Sequence, residues 1–513
     1  MNVAAHLWAM AASVPGAIAL EVQSTGERVT FGALAERASA MARGLQAFGI
    51  GKGDRVLLMV RPGTDFAALA FALLGLGAVV VFVDPGMGRR HLVDCIAHAR
   101  PKAIVAERLL HALCVLHPRA LVGVQARLSV GWWPGAASVA HLRRHPGAGF
   151  EPTPLSPSDD AVVAFTSGAT GKPKGVLLQH SVLAAQLESF KRLSGIGRGD
   201  VYLATLPVLA ILGPGFGCAT VLPDIDASRP RDANPLTLVA AIRHYGVTHS
   251  FGSPAVWRNV AQAGARLPSM RCLLIGGAPV APSLLATLAA LIPNGSVHTP
   301  YGATEAVPLA CASASEILRE VETHRGTLVG RPLRDVELRI VAISDGPLAE
   351  ARALPVGEVG EIVVRGPVVS RTYERRRDAD SLAKIPDPGG HWHRMGDLGC
   401  LDGAGRLWFC GRKSERVDSG ATTLFTACVE PRFEAHPSVQ RVALVRAGGK
   451  AILVVEARPG AKADAKAAAE ILALRGELPV ERVLFKRRLP LDARHGAKIL
   501  RGELAHWAEG RLA

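Results

Sequence analysis

The densest run of chemically useful residues is TSGATGKPKG at 166–175, directly after the apolar run Ala161–Phe165. Its small residues, among them Gly168, let a backbone close around phosphate oxygens. The hydroxyls of Thr166, Ser167 and Thr170, with main-chain amides, supply donors, while Lys172 and Lys174 supply positive charge. The run is not a Walker A loop, which needs GxxxxGK followed by Ser or Thr and opens a helix, because Pro173 follows Lys172 here. A shorter fragment would read as a glycine-rich turn between two strands. The whole string points instead to a loop that holds a triphosphate.

Other stretches follow in order along the chain: LIGGAP at 274–279, YGATE at 301–305, Glu361 with Gly366 in a GEIxxxG stretch, MGDL at 395–398, Gly411-Arg412-Lys413, and PLDARHGAKILR at 490–501. Their order and spacing resemble the adenylate-forming superfamily of acyl-CoA synthetases, nonribosomal peptide adenylation domains and luciferases. The resemblance implies that Gly277, Ala278 and Pro279 line an adenine pocket on which Tyr301 packs, beside Gly302. It further implies that Thr304 touches the α-phosphate, Glu305 holds Mg2+, and Asp397 and Arg412 contact the ribose. Lys498 takes the place of the catalytic lysine, although ARHGAKI lengthens the usual string before it. The implied catalytic set is Thr166, Thr304, Glu305 and Lys498, with ATP and Mg2+ as cofactors. Such a set suffices to join a carboxylic acid to AMP, because cationic groups and the metal offset the repulsion between carboxylate and triphosphate.

Local features narrow the resemblance: Val83-Asp84-Pro85-Gly86 followed by Arg89-Arg90, the segment 222–230, YGATEAVP at 301–308, WFCGRK at 408–413 and ARHGAKI. These are similar to the olefin-pathway β-lactone synthetases, a branch of the same superfamily. That likeness implies a long-chain 2-alkyl-3-hydroxy acid as substrate, whose own hydroxyl displaces AMP. A well-held intramolecular hydroxyl has a high effective concentration, so no thiol acceptor is needed. Ser414 stands where thioester-forming relatives usually carry Asp or Lys, and this fits weakly with the absence of a thioester step. The acyl pocket is expected between 208–213, the turn at 251–254 and Gly276–Gly277, with Val208, Leu212, Phe251, Gly252, Gly276 and His180 as candidates. Fatty acyl-CoA or acyl-AMP ligase is the alternative within the superfamily. A non-catalytic basic binding protein built on a nucleotide fold is a remoter one.

The elements that must position these residues alternate between valine-rich and isoleucine-rich strands and Ala/Leu helices over the first four hundred residues. Strands are expected at 55–60, 79–83, 103–106, 161–165, 249–251 and 272–275. The fold class is therefore α/β, with two parallel-type sheets and flanking helices in a large N-terminal domain, 1–412. GEVGEIVVRG and GRLWFCGRK read as meander strands of a small β subdomain at about 325–410. A hinge at 413–420 and a small mobile α+β domain at 421–513 complete the expected plan, the latter with helices at 427–435 and 461–475.

Composition constrains the rest. The uncharged run 66–83 is long enough to span a bilayer, but Gly75 and Gly77 divide it into a buried helix and a buried strand. The N-terminus lacks a basic region and reads as a mature amphipathic helix. Eight cysteines without a CxxC pair indicate free thiols in a reducing compartment, hence the cytoplasm, with no disulfide and no structural zinc. His391 and His393 are read as strand or loop histidines. The net charge of +15 favours anionic partners, but the basic residues are dispersed, so nucleic acid is not expected. The expected partners are the carboxylic acid and other enzymes of the same pathway.

Overall fold

Short runs of valine, leucine and isoleucine without charge form parallel strands covered on both faces, and here they make the frame of the site. The computed structural model describes residues 1–166, 173–226, 229–320, 325–491 and 499–512. One sheet runs in the order Thr372–Tyr373, Lys174–Gln179, Asp160–Thr166, Val79–Val83, Arg55–Met59, Ala103–Glu107, Ala126–Val130, Ala137–Ser138. Its central pairs are parallel, with Val80 opposite Val162 and Val56 opposite Ala103. The pair Asp160–Thr166 and Lys174–Gln179 is antiparallel, with Thr166 opposite Lys174. That register places the ends of both strands at the phosphate-loop string.

A second sheet runs Ser296–Ala303, Cys272–Ile275, His249–Gly252, Val201–Ala204, Ala219–Leu222, Ile18–Val22 and Glu27–Thr30. Only the last pair in this order is antiparallel. Both sheets belong to the compact unit Met1–Gly277, Ser283–Leu309 and Gly366–Asp380. The uncharged run 66–83 splits as its glycines imply: helix Thr64–Gly75 is buried almost throughout, Gly77 turns the chain at φ +73°, and Val79–Val83 enters the first sheet. Among the described residues no helix is long and apolar enough to cross a membrane.

The other compact unit comprises Ala278–Pro282, Ala310–Arg365 and Ser381–Ala513. Its larger sheet is an antiparallel meander in the order Glu337–Val341, Gly360–Arg365, Gly390–Leu401, Leu407–Arg412, Thr327–Pro332. Strands Val439–Ala447, Lys450–Ala457 and Val480–Phe485 form a separate sheet with helices Thr426–Glu434, Ala465–Ala473 and Arg501–Leu512. Phe433, Leu444, Leu453 and Ile471 are among the fully buried residues of its core.

The segment 413–420 consists of the turn Lys413–Glu415 and the strand Val417–Ser419, which pairs with Thr422–Leu424. The helix expected over 461–475 is shorter, Ala465–Ala473. Gly460 turns the chain at φ +83°, and the Asp464 carboxylate accepts from the Ala467 amide at 2.9 Å, so the helix starts only after that cap.

Candidate active site

The YGATE residues close a tight connection. Tyr301, Gly302 and Ala303 end the strand Ser296–Ala303, Thr304 and Glu305 turn the chain, and the next strand starts at Ala306. A Cβ on Gly302 would lie 2.6 Å from the Ala306 carbonyl oxygen and 2.9 Å from the Val307 Cβ. A larger residue would therefore open the turn. The Glu305 main-chain carbonyl accepts from the Ser370 amide at 2.7 Å, and its carboxylate accepts from the Tyr373 hydroxyl at 2.8 Å.

Tyr373 connects this turn to the phosphate-loop hairpin. Residues Thr372–Tyr373 pair antiparallel with Lys174–Gln179, placing Tyr373 opposite Val176. The Lys174 ammonium stands 5.2 Å from the centroid of the Tyr373 ring, within cation–π range. Burial, reinforced by the Glu305 carboxylate, pushes the Tyr373 hydroxyl well above its ordinary range, so it remains a neutral donor. Glu374 is held beneath by Arg55 at 3.1 Å. The structure thus brings together two residues expected from the sequence, Lys174 and Glu305, through a third that sequence reasoning missed. The only signal was that Tyr373 is one of just four tyrosines in the chain.

Asp397 and Arg412 lie directly opposite each other in the antiparallel meander, with Nη1 and Oδ1 2.8 Å apart. Asp397 is 4% exposed, so the pair is anchored on a buried carboxylate. Ser167, Gly168, Thr170, Lys172 and Lys498 lie outside the described residues, and Thr166 contributes its backbone pairing with Lys174. Gly277, at φ +85°, turns the chain after the strand Cys272–Ile275, and Ala278 and Pro279 continue that turn.

Leu212 and Phe251 of the expected acyl pocket line a small apolar cavity, together with Phe190, Tyr202, Phe216 and Leu274. Gly276 packs beside it, with a built Cβ 3.6 Å from the Phe251 ring. Gly252 abuts Trp257 and Thr205, and Val208 lies in the turn Pro207–Ile211. His180 does not line this cavity. It is fully buried at the start of helix His180–Ser194, its Nδ1 accepts from the Val3 amide at 3.2 Å, and burial lowers its pKa to about 4. Its neighbours are the N-terminal segment and Asp159. Phe190 and Tyr202 escaped sequence reasoning because a helix face and the neighbouring strand deliver them from distant parts of the chain.

Among the described residues no group of three or more His, Cys, Asp and Glu side chains could hold a metal ion. All eight cysteines are free thiols, and His393 is buried in the strand Gly390–Leu401.

Residues 7–374 match the family model described as AMP-binding enzyme. The chain belongs to the AMP-binding enzyme family. This AMP-binding enzyme is 41% identical over 504 residues to the olefin beta-lactone synthetase of Stenotrophomonas maltophilia, covering 93% of the chain and 90% of that protein. It is 38% identical over 542 residues to the olefin beta-lactone synthetase of Xanthomonas campestris pv. campestris, covering 99% and 97%. Among solved structures, the amide bond synthetase McbA from Marinactinospora thermotolerans superposes with a TM-score of 0.81 at 25% identity, with 99% of each chain covered. The AMP-binding enzyme is accordingly an ATP-dependent, AMP-forming ligase of a carboxylic acid.

Proposed function

We propose that this ligase adenylates a hydrophobic 3-hydroxy acid, a long-chain 2-alkyl-3-hydroxy acid in particular, and closes it to a β-lactone. The observation that carries this reading is the similarity to two olefin β-lactone synthetases over 93% and 99% of the chain. In the first step a carboxylate oxygen attacks the α-phosphorus of ATP and pyrophosphate leaves. In the second the 3-hydroxyl oxygen attacks the acyl carbon, the acyl–oxygen bond to phosphate breaks, and AMP departs with the electron pair. The hydroxyl proton passes to solvent or to AMP.

Lys174 and the expected Lys172 and Lys498 would offset the charge of the triphosphate, and Thr304 would meet the α-phosphate. Asp397 and Arg412 would hold the ribose. Glu305, with one carboxylate oxygen fixed by Tyr373, fits a Mg2+ ion carried mainly by phosphate oxygens, since such ions commonly take only one or two protein carboxylates. When bound there, the ion would neutralise phosphate charge. The side chains around Leu212 and Phe251 are largely apolar, which supports placing an acyl chain against them. Eight free thiols support a reducing compartment such as the cytoplasm.

The deciding experiment incubates the enzyme with ATP, Mg2+ and a 2-alkyl-3-hydroxy acid without coenzyme A. The expected products are β-lactone, AMP and pyrophosphate. Absence of lactone, with AMP released from a simple fatty acid only when coenzyme A is added, would make the chain an acyl-CoA ligase instead.

A further inference from the structure

Each of the two residues assigned to the ribose follows a glycine in a left-handed conformation. Gly396, at φ +67°, precedes Asp397, and Gly411, at φ +129°, precedes Arg412. A Cβ on Gly411 would also lie 2.5 Å from the Thr426 hydroxyl, which closes that position to other residues. Glycine confers little stiffness of its own, so the direction of each side chain depends on what fixes its flanks. One buried carboxylate, Glu361 on the neighbouring strand, secures both flanks.

Arg394, two residues before Gly396, sends Nε to Glu361 Oε1 at 3.1 Å and Nη2 to Oε2 at 2.6 Å. It also bonds the carbonyls of Gly346 and Leu382, at 2.7 and 2.9 Å. Lys413, immediately after Arg412, turns inward from the end of the strand Leu407–Arg412. Its ammonium reaches the Ser344 carbonyl at 2.9 Å and Glu361 Oε1 at 3.2 Å. Glu361 is 1% exposed and Arg394 4%. A buried charge pair is weak evidence for stability, since desolvation consumes most of the Coulombic gain. Its value here is geometric: it ties the strand Gly360–Arg365 to the strand Gly390–Leu401, where Glu361 stands opposite Leu398, the residue after Asp397.

We propose that Lys413 is a positioning residue for ribose recognition, acting by seating in the socket formed by Glu361 and the Ser344 carbonyl so that Arg412 is held against Asp397. The inference rests on the assignment of Asp397 and Arg412 to the ribose, and the experiment separates the two. Affinities for ATP and for 2′,3′-dideoxy-ATP, which lacks both ribose hydroxyls, are measured by calorimetry on the wild-type enzyme and on Lys413→Met, Lys413→Arg and Asp397→Asn. Lys413→Met keeps the apolar stem and avoids stranding the buried Glu361–Arg394 pair, and thermal melting checks that each variant is folded.

The wild type should prefer ATP. Lys413→Met should lose about tenfold in ATP affinity while dideoxy-ATP binding stays put, and Lys413→Arg should recover most of the loss. In turnover, Lys413→Met should raise the KM for ATP more than it lowers kcat. Equal loss for both nucleotides, or unchanged preference in Lys413→Met beside a preference lost in Asp397→Asn, overturns the positioning role alone. Preference retained in Asp397→Asn overturns the ribose assignment and the role of Lys413 with it.

Discussion

Tyr373 gives the Glu305 carboxylate a fixed direction, and it does so from 68 residues further along the chain. A hydrogen bond to a charged group contributes about 1.5–3 kcal/mol, so Tyr373→Phe should reduce Mg-ATP-dependent pyrophosphate release by about tenfold to a hundredfold. A magnesium titration of the variant should require more metal for half-maximal rate, and a curve identical to the wild type would remove Tyr373 from the site. Lys498→Ala should cut adenylate formation by about a hundredfold to a thousandfold with ATP binding nearly intact, as expected for a group that acts on developing charge. Stopped-flow pyrophosphate release and calorimetry separate those two effects. Lys174, Glu305, Asp397 and Arg412 could be proposed from the sequence because each lies in a short motif whose neighbours are constrained too. Tyr373 and Lys413 could not be, because their contacts are with partners on other strands or loops, and nothing in the local sequence of either names the partner.

The strands were the most readable elements. Val79–Val83 and Cys272–Ile275 have the boundaries expected from their apolar runs, since a parallel strand covered on both faces tolerates no charge along its length. The alanine-rich stretch after residue 460 misled for the opposite reason. High helix propensity begins at Ala461, ahead of the point where the Asp464 cap sets the start. The apolar cavity was half legible: Leu212 and Phe251 lie in the expected segments, whereas the wall from helix His180–Ser194 depends on packing between elements. Leu212→Trp should fill part of the cavity, raising KM for long-chain acids while short acids are used as before; equal losses for both would place the acyl chain elsewhere. Gly252→Ala should lower the melting temperature, because its Cβ would meet Trp257 Nε1 at 2.6 Å and Thr205 Oγ1 at 2.7 Å, an overpacking that costs about 1–3 kcal/mol.

At the scale of the whole molecule, fold class followed from alternation of strands and helices, while the grouping of the antiparallel meander with the C-terminal elements in one compact unit had no sequence signal. The boundary at 413–420 remains a proposal about motion. Acid stability is a property of the entire chain to which His180 contributes. With a folded pKa of about 4 against 6.5 unfolded, His180 stays neutral in the native state while the unfolded chain takes up a proton. Its contribution is therefore present above pH 6.5 and lost as pH falls towards 4, by at most about 3 kcal/mol. Urea midpoints at pH 7 and pH 5 should differ less in His180→Gln than in the wild type; an equal difference would assign the acid sensitivity to other groups. The bond from Tyr373 to Glu305 has an optical consequence as well. Of four tyrosines in the chain, Tyr202 and Tyr373 are both held far from ionisation, the first by burial and the second by burial and the carboxylate it serves. In an alkaline titration their tyrosinate absorbance should appear only when the fold opens. The loss of the Glu305 turn can then be followed in ultraviolet light, without nucleotide, metal or label.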